Sequence, residues 1–314
     1  MYLDYLTKRY AHPVVVFDGY SLGPSTKDHT HSRRTKGIEG TKIEFRKNTP
    51  FKSKKENFLC NNENKQAFIN MLSEFLVSNG IRTEHAEADA DVMIANTGIA
   101  LAENYLTIII GEDTDVLVLL LFHSSTNTTL HYKSDQSNHR ANTLKVWDIS
   151  KTKKLLGDQL CHVLPVIHAI TGCDTTSRLF GIGKGLVLKK VMGNQDLIEI
   201  AGKVFDVDSS DVVAKFGIQL LIRMYGGFEF ETLDIMRYRK FASKVVSNSV
   251  SFLQIQTLPP TTAAAEQHCK RTFYQVIEWT KRDEDLQLDP LDWGWTMSNG
   301  KLVPVKTSSP CCSG

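Results

Sequence analysis

Short apolar runs alternate with helix-spaced apolar residues along the first half of the chain. Val14-Val15-Val16-Phe17 is a continuous apolar run stopped by Asp18-Gly19, the pattern of a buried strand. Between Lys65 and Asn79 the residues Phe68, Met71, Leu72, Phe75 and Leu76 recur at three- and four-residue spacing. That spacing predicts an amphipathic helix, ended by Gly80. A strand over Ile81 to His85, a helix over about Ala88 to Ala102 and a second apolar strand over Leu106 to Ile110 follow. A weaker strand pair is expected at Thr129 to Tyr132 and Leu144 to Trp147. Such alternation predicts an α/β fold, a mainly parallel sheet with flanking helices.

Beyond about residue 150 the pattern turns helical, over Lys151 to Leu156, Gln159 to Thr171, Lys184 to Met192, Ser210 to Tyr225 and Glu231 to Val246. Leu258-Pro259-Pro260 opens a linker, followed by a helix over Ala263 to Thr280 and a Pro/Asp/Gly-rich tail expected to pack loosely. Three regions result: an α/β core over 1–150, a helical region over 151–250, and a linker, helix and poorly structured tail over 251–314.

Charge changes this picture locally. The whole chain carries 37 Lys+Arg against 35 Asp+Glu, a net charge of +2. Residues 24 to 56 alone hold ten Lys/Arg opposed by Asp28, Glu39, Glu44 and Glu56, an excess of six, so the remainder is net negative. Any nucleic-acid surface is therefore local, and this segment follows a strand-end Asp at the edge where open α/β sheets bind ligands. A solvated basic loop accounts for the same run. The six cysteines are scattered without a C-x-x-C pair, which fits a reducing compartment and no structural zinc. No apolar run approaches the ~18 residues of a membrane span, and the opening lacks a signal peptide's apolar stretch. A soluble intracellular protein without a membrane partner is the expectation.

The acids gather at predicted strand ends: Asp18 after the first strand, Glu87, Asp89 and Asp91 after the second, and Asp113 and Asp115 after the third. On extended backbone Asp113 and Asp115 would face one side and could share a hard cation. Each acid alone also serves as a helix N-cap or turn former. Three such sites together repel one another unless cations bind, and oxygen donors without His or Cys favour Mg²⁺ or Mn²⁺. Glu87 and Asp91 stand at i,i+4, so a purely helical reading pairs those two instead.

A second constellation is Thr171-Gly-Cys-Asp174, followed by Gly181-Ile-Gly183-Lys184 between two helical patterns. A G-x-G-K turn entering a helix points free N–H groups and a lysine at phosphate, although an ordinary helix–helix turn has the same form. The spacing is not that of a P-loop.

Taken in order, Val14-Val-Val-Phe-Asp18-Gly19, Glu87-Ala-Asp89-Ala, Gly111-Glu-Asp113-Thr-Asp115 and Gly172-Cys-Asp174 with Gly181-Ile-Gly183-Lys184 resemble the flap endonuclease/XPG family of structure-specific nucleases, within the PIN-like superfamily. The likeness runs from about residue 1 to 195. It implies a PIN-like twisted, mainly parallel sheet over 1–150 and a helix-two-turn-helix at about 160–192, followed by further helices. It also implies two Mg²⁺ or Mn²⁺ ions held by Asp18, Glu87, Asp89, Asp113, Asp115 and Asp174. Lys27, Arg33 and Arg34 in the basic arch and Gly181, Gly183 and Lys184 in the turn would then grip nucleic acid. The implied activity is phosphodiester hydrolysis on DNA with a duplex/single-strand junction, in the nucleus. The alternative is an inactive nucleic-acid-binding protein that keeps the nuclease fold. The family's sheet has a further strand upstream of V-F-D-G, ending in its first metal-ligand Asp. Asp4 lies in a helix-like stretch, so that strand is expected to be missing and activity of residues 1–314 to be low.

Overall fold

The computed structural model describes every residue except 1, 20–22, 36–39, 51–53, 88, 135–144, 208, 248–253, 281–287 and 308–314. Helix α1 (Tyr2–Arg9) precedes strand β1 (Val14–Phe17), and α2 (Asp28–Arg34) and α3 (Lys55–Leu59) lie within the basic segment. Then come α4 (Asn62–Ser78), β2 (Arg82–His85), α5 (Asp91–Ala102), β3 (Thr107–Ile110), α6 (Thr114–His123), β4 (Leu130–Lys133) and β5 (Val146–Asp148). The rest is helical: α7 (Ile149–Leu156), α8 (Asp158–Ile170), α9 (Lys184–Met192), α10 (Gln195–Phe205), α11 (Ser210–Met224), α12 (Leu233–Ser247) and α13 (Thr262–Thr280), closed by a hairpin of β6 (Trp295–Ser298) and β7 (Lys301–Pro304). The chain is thus α/β, as the alternation predicts.

Starts of helices are marked by the expected chemistry. Asn61 accepts the Asn64 N–H at 3.0 Å ahead of α4, and Asp148 accepts the Lys151 N–H at 3.0 Å ahead of α7. The helix α6 corrects the reading of its segment. Val116 to Phe122 is apolar throughout and has no period to read, so a buried helix and a buried strand look alike. The Asp113 cap decides for helix.

Among the described residues the strands lie in separate small sheets. β1 pairs in parallel with β2, Val14 opposite Arg82 and Phe17 opposite His85. β3 pairs in parallel with β4, which is antiparallel to β5. Among the described residues no strand joins the two pieces. The strands are also less buried than their apolar runs suggest: Val14 to Phe17 are half-buried, and on β3 Ile109 is buried while Ile108 is 47% and Ile110 37% exposed. The buried face of β3 meets α5 at very close range. A Cβ on Gly98 of α5 would fall 2.2 Å from Ile109 Cδ1.

The main core joins α8, α10, α11 and α13 to α5, α6, β3 and β4 through buried residues such as Leu119, Leu130, Ile170, Leu220 and Phe273. A second, small cluster of Leu6, Leu76 and Ile81, flanked by Val15 and Phe17, supports β1 and β2. The tail expected to be loose is instead ordered over 289–304. Phe273 stacks on Trp293 at 4.6 Å between ring centroids, the Arg271 guanidinium lies over Trp295, and β7 packs against α2. Burial of these aromatic rings is what its Pro/Gly content concealed.

Candidate metal centre

Loops leaving β1, β2 and β3 meet at one place. Asp18 follows β1, and its Oδ1 accepts the Ala90 N–H at 3.0 Å, tying the end of β1 to the residue before α5. Gly19 is required there, because a Cβ would stand 2.1 Å from the Ala86 carbonyl oxygen. Asp91 opens α5 and Asp115 lies in the first turn of α6, capped by Asp113 through its N–H at 3.0 Å. The extended pairing expected of Asp113 and Asp115 is therefore replaced by a cap and first turn, which still turns both carboxylates to one point. Oxygens of Asp91, Asp113 and Asp115 lie within 4.8 Å of one another, and the three can hold a metal ion.

Each acid is held in place by other elements. The Tyr132 hydroxyl of β4 donates to the Asp113 carbonyl at 2.7 Å. His168 of α8, itself buried, sets its Nε2 2.6 Å from Asp115 Oδ1. Asp174 sits in a loop pinned by buried threonines: Thr175 donates to Gln275 Oε1 of α13 at 2.5 Å, and Thr176 donates to the Ala169 carbonyl at 2.5 Å.

Electrostatics fit a cation. Burial first, then the adjacent Asp89, push Asp91 up to about 8 against the pull of Lys27, with Asp113 and Asp115 adding to the rise. Burial likewise raises Asp113. Burial also acts to raise Asp115, but the hydrogen bond and charge of His168, helped by Lys184, hold it below the ordinary aspartate value. Crowded carboxylates with raised affinity for protons are short of positive charge. An all-oxygen donor set suits a hard divalent ion.

The remaining predicted ligands are not in this cluster. Asp89 pairs with Lys27 at 2.6 Å, with Asp91 3.9 Å from the same ammonium. Asp174 pairs with Arg34 at 2.6 Å. Asp18 serves Ala90, and Glu87 is exposed just outside α5, so the helical pairing of Glu87 with Asp91 does not arise. On the basic side Arg33 is exposed. Gly181 has a φ of +78° and Gly183 is the N-cap of α9, as the turn reading requires. Lys184 turns inward, its Nζ 2.8 Å from His168 Nε2 and 3.9 Å from Asp115 Oδ1.

His168 escaped the sequence reading, and Asp91 entered it only as an extra acid. The one available signal for His168 was a polar residue inside the apolar run Val163 to Ile170. Comparison with known protein families, with curated proteins and with solved structures finds no match.

Proposed function

We propose that this chain is a PIN-like nuclease module of the flap endonuclease/XPG type, hydrolysing phosphodiesters of structured nucleic acid with two divalent ions, Mg²⁺ or Mn²⁺. The observation that carries the reading is the convergence of Asp91, Asp113 and Asp115 from the ends of separate parallel strand pairs, beside the basic segment whose Lys27 lies 3.9 Å from Asp91. A DNA duplex/single-strand junction is the proposed substrate and the nucleus the proposed workplace.

Asp91, Asp113 and Asp115 would hold one ion, with Asp89, which acts on Asp91, and Asp174, which acts on Asp113, as further carboxylates for a second. When bound, such ions supply an activated water and stabilise the leaving oxygen. The chain's own residues do the rest. His168 fixes the carboxylate of Asp115, Asp18 anchors the backbone before Asp91, and Lys27, Arg34 and Lys184 offer cations to backbone phosphate.

The test is cleavage of an end-labelled flap duplex with Mg²⁺ or with EDTA, repeated with Asp91→Ala, Asp113→Ala and Asp115→Ala. Weak ion-dependent cutting that drops to background in all three variants is expected. Binding of the duplex without any cutting would select the alternative, a nucleic-acid-binding protein on a nuclease scaffold.

A further inference from the structure

Lys27, Arg34 and Lys184 are cations assigned above to phosphate, yet each already has a carboxylate in or beside the candidate centre as its neighbour. Lys27 Nζ is 2.6 Å from Asp89 and 3.9 Å from Asp91, Arg34 is 2.6 Å from Asp174, and Lys184 Nζ is 3.9 Å from Asp115. The three come from two separate elements, the basic segment and the G-x-G-K turn. We infer that these cations are the internal counterions of the ion-free centre, so that divalent-ion binding releases them to nucleic-acid phosphate and the two ligands bind cooperatively. The inference rests on the metal-centre reading above and adds to it a coupling between ion and substrate.

Four observations make the exchange feasible. The side chains of Lys27, Arg34 and Lys184 are 37%, 65% and 41% exposed, so the cations reach water even though their carboxylate partners are more buried, and pairs with an exposed member are weaker than fully buried ones. A divalent ion brings twice the charge to the same oxygens and coordinates them directly. Lys184 shares its closest partner with Asp115. His168 Nε2 faces both Asp115 and the ammonium, and one ring nitrogen can donate to the first or accept from the second, but not both. Finally, α2 has an anchor that does not depend on these charges. The Thr30 hydroxyl donates to the Asp174 carbonyl and the helix packs on β7, so the side chains of Arg34 at its end and of Lys27 just before it can swing while α2 stays docked.

The electrostatics agree. Burial lowers the proton affinity of Lys27, but attraction from Asp89, Asp91 and Asp174 more than restores it, so all three acids act on this one ammonium. Linkage then requires reciprocity: whatever factor the ion adds to phosphate binding, phosphate adds to ion binding.

The experiment has two arms. In the first, anisotropy of a labelled duplex with a single-stranded arm measures affinity in Ca²⁺ and in EDTA, for the wild-type chain and for the Asp113→Ala, Asp115→Ala double variant. Wild type should bind about tenfold or more tightly with Ca²⁺, and the double variant should lose that gain. In the second arm, Mn²⁺ binding is followed by electron paramagnetic resonance in wild type and in the Lys27→Met, Arg34→Met double variant. Without its competing cations the variant should bind Mn²⁺ several-fold more tightly. Equal nucleic-acid affinity in Ca²⁺ and EDTA overturns the inference, as does unchanged or weaker Mn²⁺ binding by a folded Lys27→Met, Arg34→Met variant. If that variant does not fold, the wild-type arm decides alone. Failure of the underlying reading looks different. Wild type would then not bind Mn²⁺ at all, or would keep its binding after Asp113→Ala with Asp115→Ala, and the inference would fall with the centre.

Discussion

The strand pairs β1–β2 and β3–β4 both end at the acidic centre, but they stand on very different foundations. β3 and β4 are part of a core that runs through α5, α6, α8, α10, α11 and α13, where Leu119, Leu120, Leu220 and Phe273 have no exposed surface. β1 and β2 lean on Leu6, Leu76 and Ile81, with Tyr5, Leu72, Val15 and Phe17 only partly covered. The acids divide along the same line. Asp113 and Asp115, fixed by Tyr132 and His168, belong to the rigid side. Asp18, which follows β1, and Asp89, which pairs with Lys27 of the basic segment, belong to the thin side. A preorganised half can hold an ion while the other half yields to a large polyanion, which is a division of labour that one uniformly packed sheet would not provide.

The largest expected effect breaks the comparison at its cores. Phe273→Ala should cost about 3–5 kcal/mol and loosen the whole molecule, because it opens a cavity where α13 meets the other helices. Leu76→Ala should cost somewhat less, about 2–3 kcal/mol, and hydrogen exchange should accelerate mainly in α1, β1, α4 and β2. Equal loss of protection in both regions after Leu76→Ala would abolish the distinction.

Acidity comes next. The folded chain raises Asp91 from 3.8 to about 8, chiefly by burial and by Asp89. A raised acid favours the fold below its unfolded value and loses that contribution as pH climbs through the folded value. Metal-free stability should therefore fall between pH 3.8 and about 8, by about 1–3 kcal/mol once solvent and Lys27 are allowed for. Thermal unfolding across this window should show the decline, saturating Mg²⁺ should cancel it, and Asp91→Asn should flatten it. A profile that is flat in wild-type, metal-free protein would mean that water reaches Asp91 freely.

How far these features could be read from residues alone differs between the two sides. Helices with a clear period, such as α4, α8 and α11, were legible within a few residues, because one apolar face must meet the core. α6 was not, since a run apolar all round carries no period. α10 was also missed, although Asn194 caps it by accepting the Leu197 N–H at 3.4 Å. At the centre, clustering of strand-end acids pointed to Asp113 and Asp115. The third member needed the fold: Asp91 reaches them only because α5 starts there and not three residues earlier. His168 needed it even more, lying 53 residues from Asp115 in sequence and 2.6 Å away in space. Pairing of Lys27 with Asp89 and of Arg34 with Asp174 is likewise long-range, and no local spacing encodes it.

A smaller effect sharpens the rigid side. His168→Ala leaves Asp115 without its orienting partner and should weaken Mn²⁺ binding by about tenfold, the ordinary result of losing a group that holds a ligand. His168→Gln, which can place an amide N–H near the carboxylate, should recover part of that loss. If both variants destabilise the fold equally and neither changes Mn²⁺ affinity in the folded fraction, His168 only fills space.

The smallest expected effect separates two duties of one residue. Asp113 caps α6 and also supplies a carboxylate to the cluster. Asp113→Ala removes both, losing about 1 kcal/mol with the cap and regaining part of it as repulsion from Asp91 and Asp115 is relieved. Asp113→Asn keeps an oxygen for the Asp115 N–H and removes only the charge. In metal-free protein the Asn variant should therefore be as stable as wild type or more so, and the Ala variant up to about 1 kcal/mol less stable than the Asn variant. Both should lose most of their Mn²⁺ affinity, since neither leaves an anionic ligand at this position. Equal stability of the two variants would show that the cap contributes nothing to α6, and wild-type Mn²⁺ binding by Asp113→Asn would remove Asp113 from the ligand set and leave the cap as its whole purpose.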